Sequence, residues 1–279
     1  MTPVTYVCGH SPRELERLEA QAAFFADISR RALAAAGVGP GMRVLDIGCG
    51  VGDLSFLAGD LVGPAGAVTG VDRASEAIDI AEARRRDRSL AHVRFITGEI
   101  DMLEGGDQFD ALVGRFVLMH QPDPARTLRH AACFVRSGGV VAILESHMAG
   151  SFAGVHSHPF SPSYNRILET IVRILQSAGA HIDMGLRLHR TFVDAGLPAP
   201  KVSFEARVDG GPDARTYRYI CDSLRSMLPI GQRAGATTLS MADVDALEST
   251  LRSEVIEGGG VLTSPIVVAA ACRLSAARS

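Results

Sequence analysis

The residues whose types and spacing suggest chemistry are concentrated around one glycine-rich stretch. The sequence VLDIGCGVGDLS begins with a short apolar run, has glycines at the alternate positions 48, 50 and 52, and ends in the start of a helix. A backbone of this kind lets a ligand approach closely. Asp46 precedes the glycines and Asp53 follows them. Two carboxylates repel a pyrophosphate at short range, whereas they suit an ammonium or a sulfonium group.

The same stretch invites comparison with a dinucleotide-binding loop. That fingerprint is G-x-G-x-x-G after a strand, with an acidic residue about 20 residues further on. Here the third glycine comes one residue early, but Asp72 follows Gly52 by 20 residues and suits the ribose of NAD. The glycine spacing and the flanking carboxylates therefore count against a nicotinamide-dependent oxidoreductase, which stays open as an alternative.

The elements that must position these residues alternate along the chain. A helix is predicted from Pro12, with Ser11 as its N-cap, to Gly37. Apolar runs then predict strands separated by helical segments, at 44–47, 67–71, 93–97, 109–114 and 139–144. This alternation predicts parallel strands with helices on both faces, a doubly wound sheet. Its ligand site lies at the carboxyl ends of the strands, where strand order reverses, and the glycine loop is expected there.

The residues after about position 146 have a different pattern. A stretch rich in Gly, Ser, His and Pro predicts a loop or lid, and helices are predicted from Pro162, from Asp183 to Gly196, and near 213–228 and 241–256. The strand-like segments PKVSFEARV and SPIVVAAACRL are expected to complete the sheet. We divide the chain into an N-terminal helical cap, 1–40, a cofactor-binding core, 41–150, and substrate-cover helices with the final strands, 151–279, all within one structural domain.

Composition excludes several classes of protein. The chain has 279 residues, of which 47% are hydrophobic and 21% charged, as is typical of a globular protein. A net charge of −3 gives no support for nucleic-acid binding, and the basic run at positions 84–88 is interpreted as the solvated end of a helix. No apolar run is long enough to span a bilayer, and we expect no secretory leader.

Cysteine usage points to the compartment. The five cysteines are scattered and lack C-x-x-C spacing. This pattern predicts a reduced, cytoplasmic chain without a disulfide framework or a zinc knuckle. We expect a monomer or homodimer with a small-molecule substrate and with no nucleic-acid or membrane partner.

The glycine stretch resembles the first motif of class I S-adenosylmethionine-dependent methyltransferases, in particular the bacterial small-molecule type. The similarity covers roughly residues 40–146. GVDRASEAI resembles the family's second motif, RFITGEIDML its third-strand segment, FDALVGRFVLMHQPDPARTL its fourth-strand motif and SGGVVAILE its fifth strand. The resemblance implies a Rossmann-like fold of seven strands, mostly parallel with the last antiparallel, and S-adenosylmethionine as the cofactor.

The resemblance also implies roles for individual residues. Asp72 would hold the ribose hydroxyls, Glu99 would accept a hydrogen bond from the adenine amino group, and Ile100 would pack on the adenine. Asp101 is a rival to Glu99, because the family more often has Asp there. The N-terminal TYVCGHSPRELERL resembles a segment that folds over the cofactor. The complete implied cofactor set is Asp46, Gly48, Cys49, Gly50, Asp72, Arg73, Glu99, Ile100, Arg115 and Tyr6.

Candidates for the chemistry follow from the requirements of methyl transfer. The reaction is an in-line displacement that needs alignment and often a base. His120, after the fourth strand, is the catalytic candidate, with packing against the cofactor as the alternative. Glu145 ends the fifth strand and either orients a substrate or is solvated. Arg115 binds the cofactor carboxylate or a substrate anion, or else forms a surface salt bridge.

The histidines at 147, 156 and 158 could belong to a metal site or to a mobile polar lid. Alternate histidines in a loop are a weak signal for a metal site, so we predict the lid. We expect no metal. The leading hypothesis is a methyltransferase that acts on oxygen, nitrogen or carbon of a small molecule, such as a secondary metabolite. The alternatives are a non-methylating relative that binds the same cofactor, such as a cyclase, and the oxidoreductase.

Overall fold

The structure is a computed structural model that describes residues 12–103, 108–149 and 156–275, with side chains described from residue 22 onward. Its residues fall into two compact units. The sheet unit is formed by 25–146, 184–204 and 267–279, and the helical unit by 1–24, 147–183 and 205–266, each as far as it is described.

Ten strands are found in the described chain. In chain order they are β1 Arg43–Ile47, β2 Ala67–Asp72, β3 Val93–Thr97, β4 Phe109–Arg115, β5 Val135–His147, β6 Ser157–His158, β7 Lys201–Glu205, β8 Val208–Gly210, β9 Val261–Thr263 and β10 Ile266–Arg273. The helices are α1 Pro12–Ala36, α2 Asp53–Val62, α3 Ser75–Asp87, α4 Pro124–Ala132, α5 Pro162–Ser177, α6 Met184–Asp194, α7 Arg215–Arg233 and α8 Met241–Glu257.

Seven of the strands form one sheet in the order β3-β2-β1-β4-β5-β10-β7. The first five are parallel to one another, and the last strand of the chain is antiparallel. Strand order reverses between β1 and β4, because the chain builds outward from β1 to β3 and then returns. The predicted seven-stranded doubly wound fold is therefore confirmed, and the glycine loop follows β1 at the reversal.

The central strands are buried along nearly their whole length. In β1 only Arg43 is exposed, and β5 is buried from Val140 to His147. Such uninterrupted burial is the signature of a parallel sheet covered on both faces, since a one-sided sheet would alternate. The short apolar runs in the sequence were sufficient to locate these strands.

Helix starts follow the capping chemistry that the sequence predicts. Asp123 caps α4 by accepting a hydrogen bond from the Arg126 amide at 3.0 Å, and Ser161 caps α5 by accepting one from the Tyr164 amide at 3.0 Å. Proline follows each cap, where its missing N–H costs nothing. α1 begins at Pro12 as expected, whereas its predicted cap, Ser11, lies outside the described residues.

The helical unit packs α5, α7 and α8 together and carries a second small sheet in the order β6-β9-β8. The sequence analysis predicted PKVSFEARV as a single strand, and this was wrong. The chain divides it into β7 and β8, which belong to different sheets. At the break, Arg207 and Ser264 are joined by two hydrogen bonds of 2.9 and 2.8 Å. Strands of two and three residues are too short for alternation to reveal them.

The described helices include none that is long and apolar enough to cross a membrane. Four cysteines lie in the described residues, and each is a free thiol. Cys49, Cys221 and Cys272 are buried, whereas Cys133 is exposed. The cytoplasmic location, the oligomeric state and the role of the helices as a cover stay predictions.

One stability prediction concerns the start of α8. The Ser240 hydroxyl accepts a hydrogen bond from the Asp243 amide at 3.2 Å, while the Asp243 carboxylate accepts one from the Ser240 amide at 2.7 Å. Ser240→Ala removes half of this capping box and should lower the free energy of unfolding by about 1 kcal/mol in urea denaturation. Ser249→Ala, an exposed change within the same helix, should leave stability unchanged or slightly raised. Equal losses in the two variants would contradict the prediction.

Candidate active site

The glycine loop turns through three left-handed residues. Gly48, Gly50 and Gly52 have φ of +64°, +53° and +89°. Side chains also fill the space that a Cβ would need. A Cβ on Gly48 would lie 2.4 Å from Cγ2 of Val117, and one on Gly52 would lie 2.7 Å from Cζ of Phe95. Both the φ values and the packing therefore require glycine at alternate positions.

Asp72, at the end of β2, is bonded directly to this loop. Its Oδ2 accepts a hydrogen bond from the Gly50 amide at 2.8 Å, and its Oδ1 accepts one from the Ala74 amide at 2.9 Å. The Cys49 amide donates to the carbonyl of Val71 at 3.1 Å. The carboxylate is half-buried, and each of its oxygens keeps a second lone pair. Asp72 thus joins the loop after β1 to the loop after β2.

Asp46 lies beneath the loop instead of facing solvent. It is fully buried, and its Oδ2 accepts a hydrogen bond from the Ser55 hydroxyl of α2 at 2.6 Å. Its Oδ1 has no hydrogen-bond partner in the described part of the chain. Burial raises the pKa of Asp46 to about 7, against the Ser55 hydrogen bond and the charge of Arg115, which lower it. The carboxyl therefore anchors the first turn of α2.

The second flanking carboxylate, Asp53, is neutralised by arginines. Its Oδ1 lies 2.7 Å from Nη1 of Arg84, and its Oδ2 lies 3.8 Å from Nη2 of Arg115. All three side chains are nearly buried. The argument that Asp53 repels a pyrophosphate is weakened by this pairing, because a paired carboxylate presents little net charge.

The interpretation of positions 84–88 as a solvated helix end was wrong for Arg84. Arg84 is 9% exposed and donates a hydrogen bond of 2.6 Å to the carbonyl of Val51, inside the glycine loop. The guanidinium carbons of Arg84 and Arg88 lie 5.3 and 4.5 Å from the ring centroid of Phe56. Arg84 therefore faces inward, whereas Arg88, the residue after α3, is exposed.

Arg115, at the end of β4, is buried among neighbours of the sheet unit. Beyond Asp53, it donates a hydrogen bond of 3.0 Å to the Ser29 hydroxyl of α1. Its guanidinium carbon lies 5.8 Å from the ring centroids of both Phe25 and Phe116. The Arg115 side chain is only 10% exposed, so Arg115 does not form the surface salt bridge that was the alternative prediction. Whether it also contacts a ligand stays a prediction.

The segment after β3 separates the two rival acids. Glu99 precedes a short 3-10 helix at Ile100–Met102 and is exposed, while Ile100 is buried. Asp101 forms an ion pair with Arg126 of α4, with 3.4 Å between Oδ2 and Nη2. Asp101 is therefore paired with α4 at the surface, and the choice between Glu99 and Asp101 as the adenine acceptor stays a prediction.

The residues after β4 form a tight turn that places His120 at the sheet edge. Phe116 has a φ of +57°, which is uncommon for a residue other than glycine, and a short 3-10 helix follows at Leu118–His120. His120 is exposed, while Leu118 and Met119 are buried. Its imidazole is therefore the part of this turn that solvent or a substrate can reach.

Glu145 fulfils neither role that the sequence suggested. Its side chain is fully buried, so it is neither solvated nor open to a substrate. Its Oε1 accepts hydrogen bonds from the amides of Val117 at 3.0 Å and Leu118 at 2.6 Å. Burial raises the pKa of Glu145 to about 8, although these backbone hydrogen bonds lower it. No signal in the sequence marked it as the anchor of the His120 turn, because that contact spans 27 residues.

Other predicted site residues lie elsewhere. Tyr6 falls outside the described residues, and Arg73 is exposed beside Asp72. In the helical unit, His147 and Asp183 are linked at 3.3 Å between Nδ1 and the carbonyl, and His156 packs its ring edge-on to Tyr164 at 6.3 Å. The described part of the chain contains no group of three or more His, Cys, Asp or Glu side chains that could hold a metal ion.

These placements form one pattern at the carboxyl edge of the sheet. The glycine loop follows β1, Asp72 ends β2 and Glu99 follows β3. All three lie on one side of the point where strand order reverses. His120 follows β4 on the other side. The arrangement allows an extended ligand to lie across three strand ends and to present its reactive end towards β4.

One prediction follows from the buried Asp46. Its pKa is raised from 3.8 to about 7 in the folded protein, so the unfolded chain ionises first as pH rises. The stability that Asp46 contributes is therefore complete below the unfolded pKa and is lost as pH approaches the folded value. Asp46→Asn keeps an oxygen acceptor for Ser55 and does not titrate. Its stability relative to the wild type should rise by at least about 2 kcal/mol between about pH 4.5 and about pH 8.

Urea unfolding of both proteins across this range measures the difference. Asp60→Asn is the control, since Asp60 is exposed and pairs only at the surface with Arg30 at 3.0 Å. Its effect should stay below about 0.5 kcal/mol at every pH. A difference between Asp46→Asn and wild type that does not vary with pH would contradict the buried, titrating carboxyl.

Several curated proteins are similar in sequence to this chain. The demethylmenaquinone methyltransferase of Lactococcus lactis is 30% identical over 131 residues, covering 46% of this chain and 48% of that protein. The 2-phytyl-1,4-naphtoquinone methyltransferase of Synechococcus elongatus is 37% identical over 110 residues, covering 39% and 47%. The ubiquinone biosynthesis O-methyltransferase of Aeromonas salmonicida is 37% identical over 105 residues, covering 37% and 42%. The chain thus spans about half the length of these relatives.

Solved structures extend the likeness to most of the chain. A Bacillus halodurans protein matches with a TM-score of 0.60 at 13% identity, covering 89% of this chain and 99% of that one. Phosphoethanolamine N-methyltransferase 2 of Haemonchus contortus, in complex with S-adenosyl-L-methionine, matches with a TM-score of 0.55 at 17% identity, covering 93% and 56%. The cyclase SpnF matches with a TM-score of 0.53 at 17% identity, covering 90% and 82%. At such identities the likeness shows the fold alone.

The family is shown by a sequence model. The family model described as "Methyltransferase domain" matches residues 39–195, which is more than half of the 279-residue chain. The match contains the glycine loop, Asp72, Glu99, His120 and Glu145. The family that the motifs predicted is thereby confirmed, and the chain belongs to the methyltransferase-domain family.

Proposed function

We propose that this protein is an S-adenosylmethionine-dependent methyltransferase that acts on a small molecule by in-line methyl transfer at the carboxyl edge of its sheet. The observation that carries the proposal is the hydrogen bond between the Gly50 amide and Asp72, 2.8 Å long. It joins a left-handed glycine loop to a ribose-binding type of carboxylate at the strand reversal. Membership of the methyltransferase-domain family supports the same function.

The residues at this edge fit S-adenosylmethionine. The Asp72 oxygens keep lone pairs that can accept from the two ribose hydroxyls. Glu99 is exposed and can accept from the adenine amino group, while the buried Ile100 supplies an apolar surface for the ring. Gly48, Cys49 and Gly50 would line the amino-acid portion through their backbone, which turns through left-handed φ values at the two glycines.

When bound, S-adenosylmethionine supplies a methyl group on a sulfonium sulfur. The chain must then hold a nucleophile in line with that group, which removes much of the entropic barrier. His120 is the exposed imidazole at the end of β4 and can accept the proton that the nucleophile loses. Arg115 is held by Asp53 and Ser29 and would fix charge near the amino-acid portion.

The substrate class follows from the relatives only in outline. Three of them are named for demethylmenaquinone, a phytyl naphthoquinone and ubiquinone biosynthesis. A quinol or phenol is therefore the first substrate class to assay, and a secondary metabolite of this type is the proposed natural substrate. Residues 196–279 lie beyond the family match, and they are the part of the chain that would set specificity.

The cofactor is tested by calorimetric titration with S-adenosylhomocysteine, with NADH titrated in parallel. We expect micromolar binding of the first and none of the second. Asp72→Ala should weaken binding by about 1.5–3 kcal/mol, since a charge-assisted hydrogen bond is lost. Asp79→Ala removes an exposed carboxylate from α3 and should leave affinity unchanged. Binding of NADH alone would make the protein an oxidoreductase, and tight binding of S-adenosylhomocysteine without any methyl transfer would favour a non-methylating relative.

The adenine contact has its own test. Glu99→Ala should weaken S-adenosylhomocysteine binding by about tenfold, the loss expected for a hydrogen bond to a charged acceptor. Asp101→Ala, two residues away, should leave the affinity within about twofold, because Asp101 is already paired with Arg126. Calorimetry of the two variants side by side measures the difference. The opposite ranking would assign the adenine to Asp101.

A further inference from the structure

The side chain that the proposed chemistry leaves unused is the buried carboxyl of Glu145. It lies near the carboxyl end of β5, within the sheet unit, and is fully inaccessible to solvent. Oε1 accepts two backbone hydrogen bonds, from Val117 at 3.0 Å and from Leu118 at 2.6 Å. Oε2 has no hydrogen-bond partner among the described residues. Burying a carboxyl group costs free energy unless its hydrogen bonds offset the loss of solvation.

The turn that Glu145 holds is strained at its start. Phe116 adopts a φ of +57°, and its amide donates to the carbonyl of Leu144 at 2.9 Å. Non-glycine residues in the left-handed region persist where the surroundings over-determine them, and they cluster at functional sites. Two hydrogen bonds from the next residues to one carboxyl oxygen provide that restraint. The turn therefore has one enforced conformation.

The same turn packs against the glycine loop. Val117 Cγ2 and Cβ lie 2.4 and 2.9 Å from where a Cβ on Gly48 would be, and Val117 Cγ1 lies 3.0 Å from the equivalent point on Gly114. The isopropyl group of Val117 therefore packs between the loop after β1 and the end of β4. A shift of the Val117 backbone would move the wall of the glycine loop and His120 together.

We propose that Glu145 is a positioning residue that holds the backbone of Val117 and Leu118, and thereby fixes both the glycine loop and His120. The effect of Glu145 on the loop and on the turn is a property of the ligand-free protein and does not depend on the proposed function. The consequence for cofactor binding rests on the proposed function.

The chemistry of the contact requires an acceptor but no charge. Both donors are backbone N–H groups, and a carbonyl oxygen accepts them as well as a carboxylate does. Burial raises the pKa of Glu145 to about 8, so the acid is mainly protonated at neutral pH. Glutamine has the same shape and the same acceptor as the protonated acid. Alanine leaves two buried donors without a partner.

The test compares Glu145→Gln with Glu145→Ala, and uses Val140→Ala as a matched control. Val140 is buried at the other end of the same buried run, in register with Ala111 of β4, which lies five residues before the turn begins at Phe116. Thermal unfolding measures stability, and calorimetry measures the Kd for S-adenosylhomocysteine. We expect Glu145→Gln to keep the Kd within about twofold, and Glu145→Ala to raise it about tenfold or more because two buried amides lose their acceptor. Val140→Ala should lower the Tm and leave the Kd unchanged.

A second readout does not depend on the cofactor. Amide hydrogen exchange of Val117 and Leu118, and the NMR signals of the His120 imidazole, are followed in the ligand-free proteins. Wild type and Glu145→Gln should protect both amides, and Glu145→Ala should lose that protection and shift the His120 signals. If Glu145→Ala does not fold, rapid exchange of these amides in the wild type or in Glu145→Gln is sufficient to overturn the proposal.

The outcomes separate the two proposals. If the wild type fails to bind S-adenosylhomocysteine while the exchange pattern is as expected, the proposed function is wrong and the positioning role holds. If the wild type binds and Glu145→Ala binds equally well with its amides still protected, the positioning role is wrong and the proposed function holds. A Tm loss in Glu145→Ala with an unchanged Kd would reduce Glu145 to a stability residue and would also overturn the proposal.

Discussion

The backbone reversal between β1 and α2 is the constraint on which the rest of the site depends. The chain must turn from a buried strand into a helix within five residues, at the point where the order of the strands in the sheet reverses. Three left-handed glycines achieve this, with φ between +53° and +89°. Val117 and Phe95 then fill the places where a side chain on Gly48 or Gly52 would lie. Loop conformation and core packing therefore fix each other, and neither can change alone.

Three polar side chains hold the glycine loop in place. Asp72 binds the Gly50 amide, Arg84 binds the Val51 carbonyl, and Asp46 anchors α2 through Ser55. Each contact spans different elements, so the loop is tied to β2, to α3 and to the base of its own helix. Buried polar contacts add little to stability on balance, but they restrict the backbone that they bind to one arrangement. A site that binds a ligand through its backbone needs that uniqueness.

Sequence reasoning succeeded where local chemistry dictates the outcome and failed where distant partners decide. The alternate glycines and the apolar runs are local signals, and they predicted the glycine loop and the strands of the doubly wound sheet. Arg84 has a neighbourhood of arginines that resembles a solvated helix end, yet Asp53, 31 positions away in the chain, draws it inward. The strand PKVSFEARV was divided between two sheets by the contact of Arg207 with Ser264. A single sequence contains no record of such pairs.

The sequence by itself determined the doubly wound fold, the place of the glycine loop and the acids that follow β2 and β3. These follow from backbone geometry and from the period of apolar residues, which act over a few positions. The tertiary structure alone decided how the charges are used. It paired Asp53 and Asp101 with arginines, left Glu99 exposed, and buried Asp46 and Glu145 with raised pKa values. The physical reason is that solvation and charge pairing depend on which residues meet in space, and that information arises only when the chain has folded.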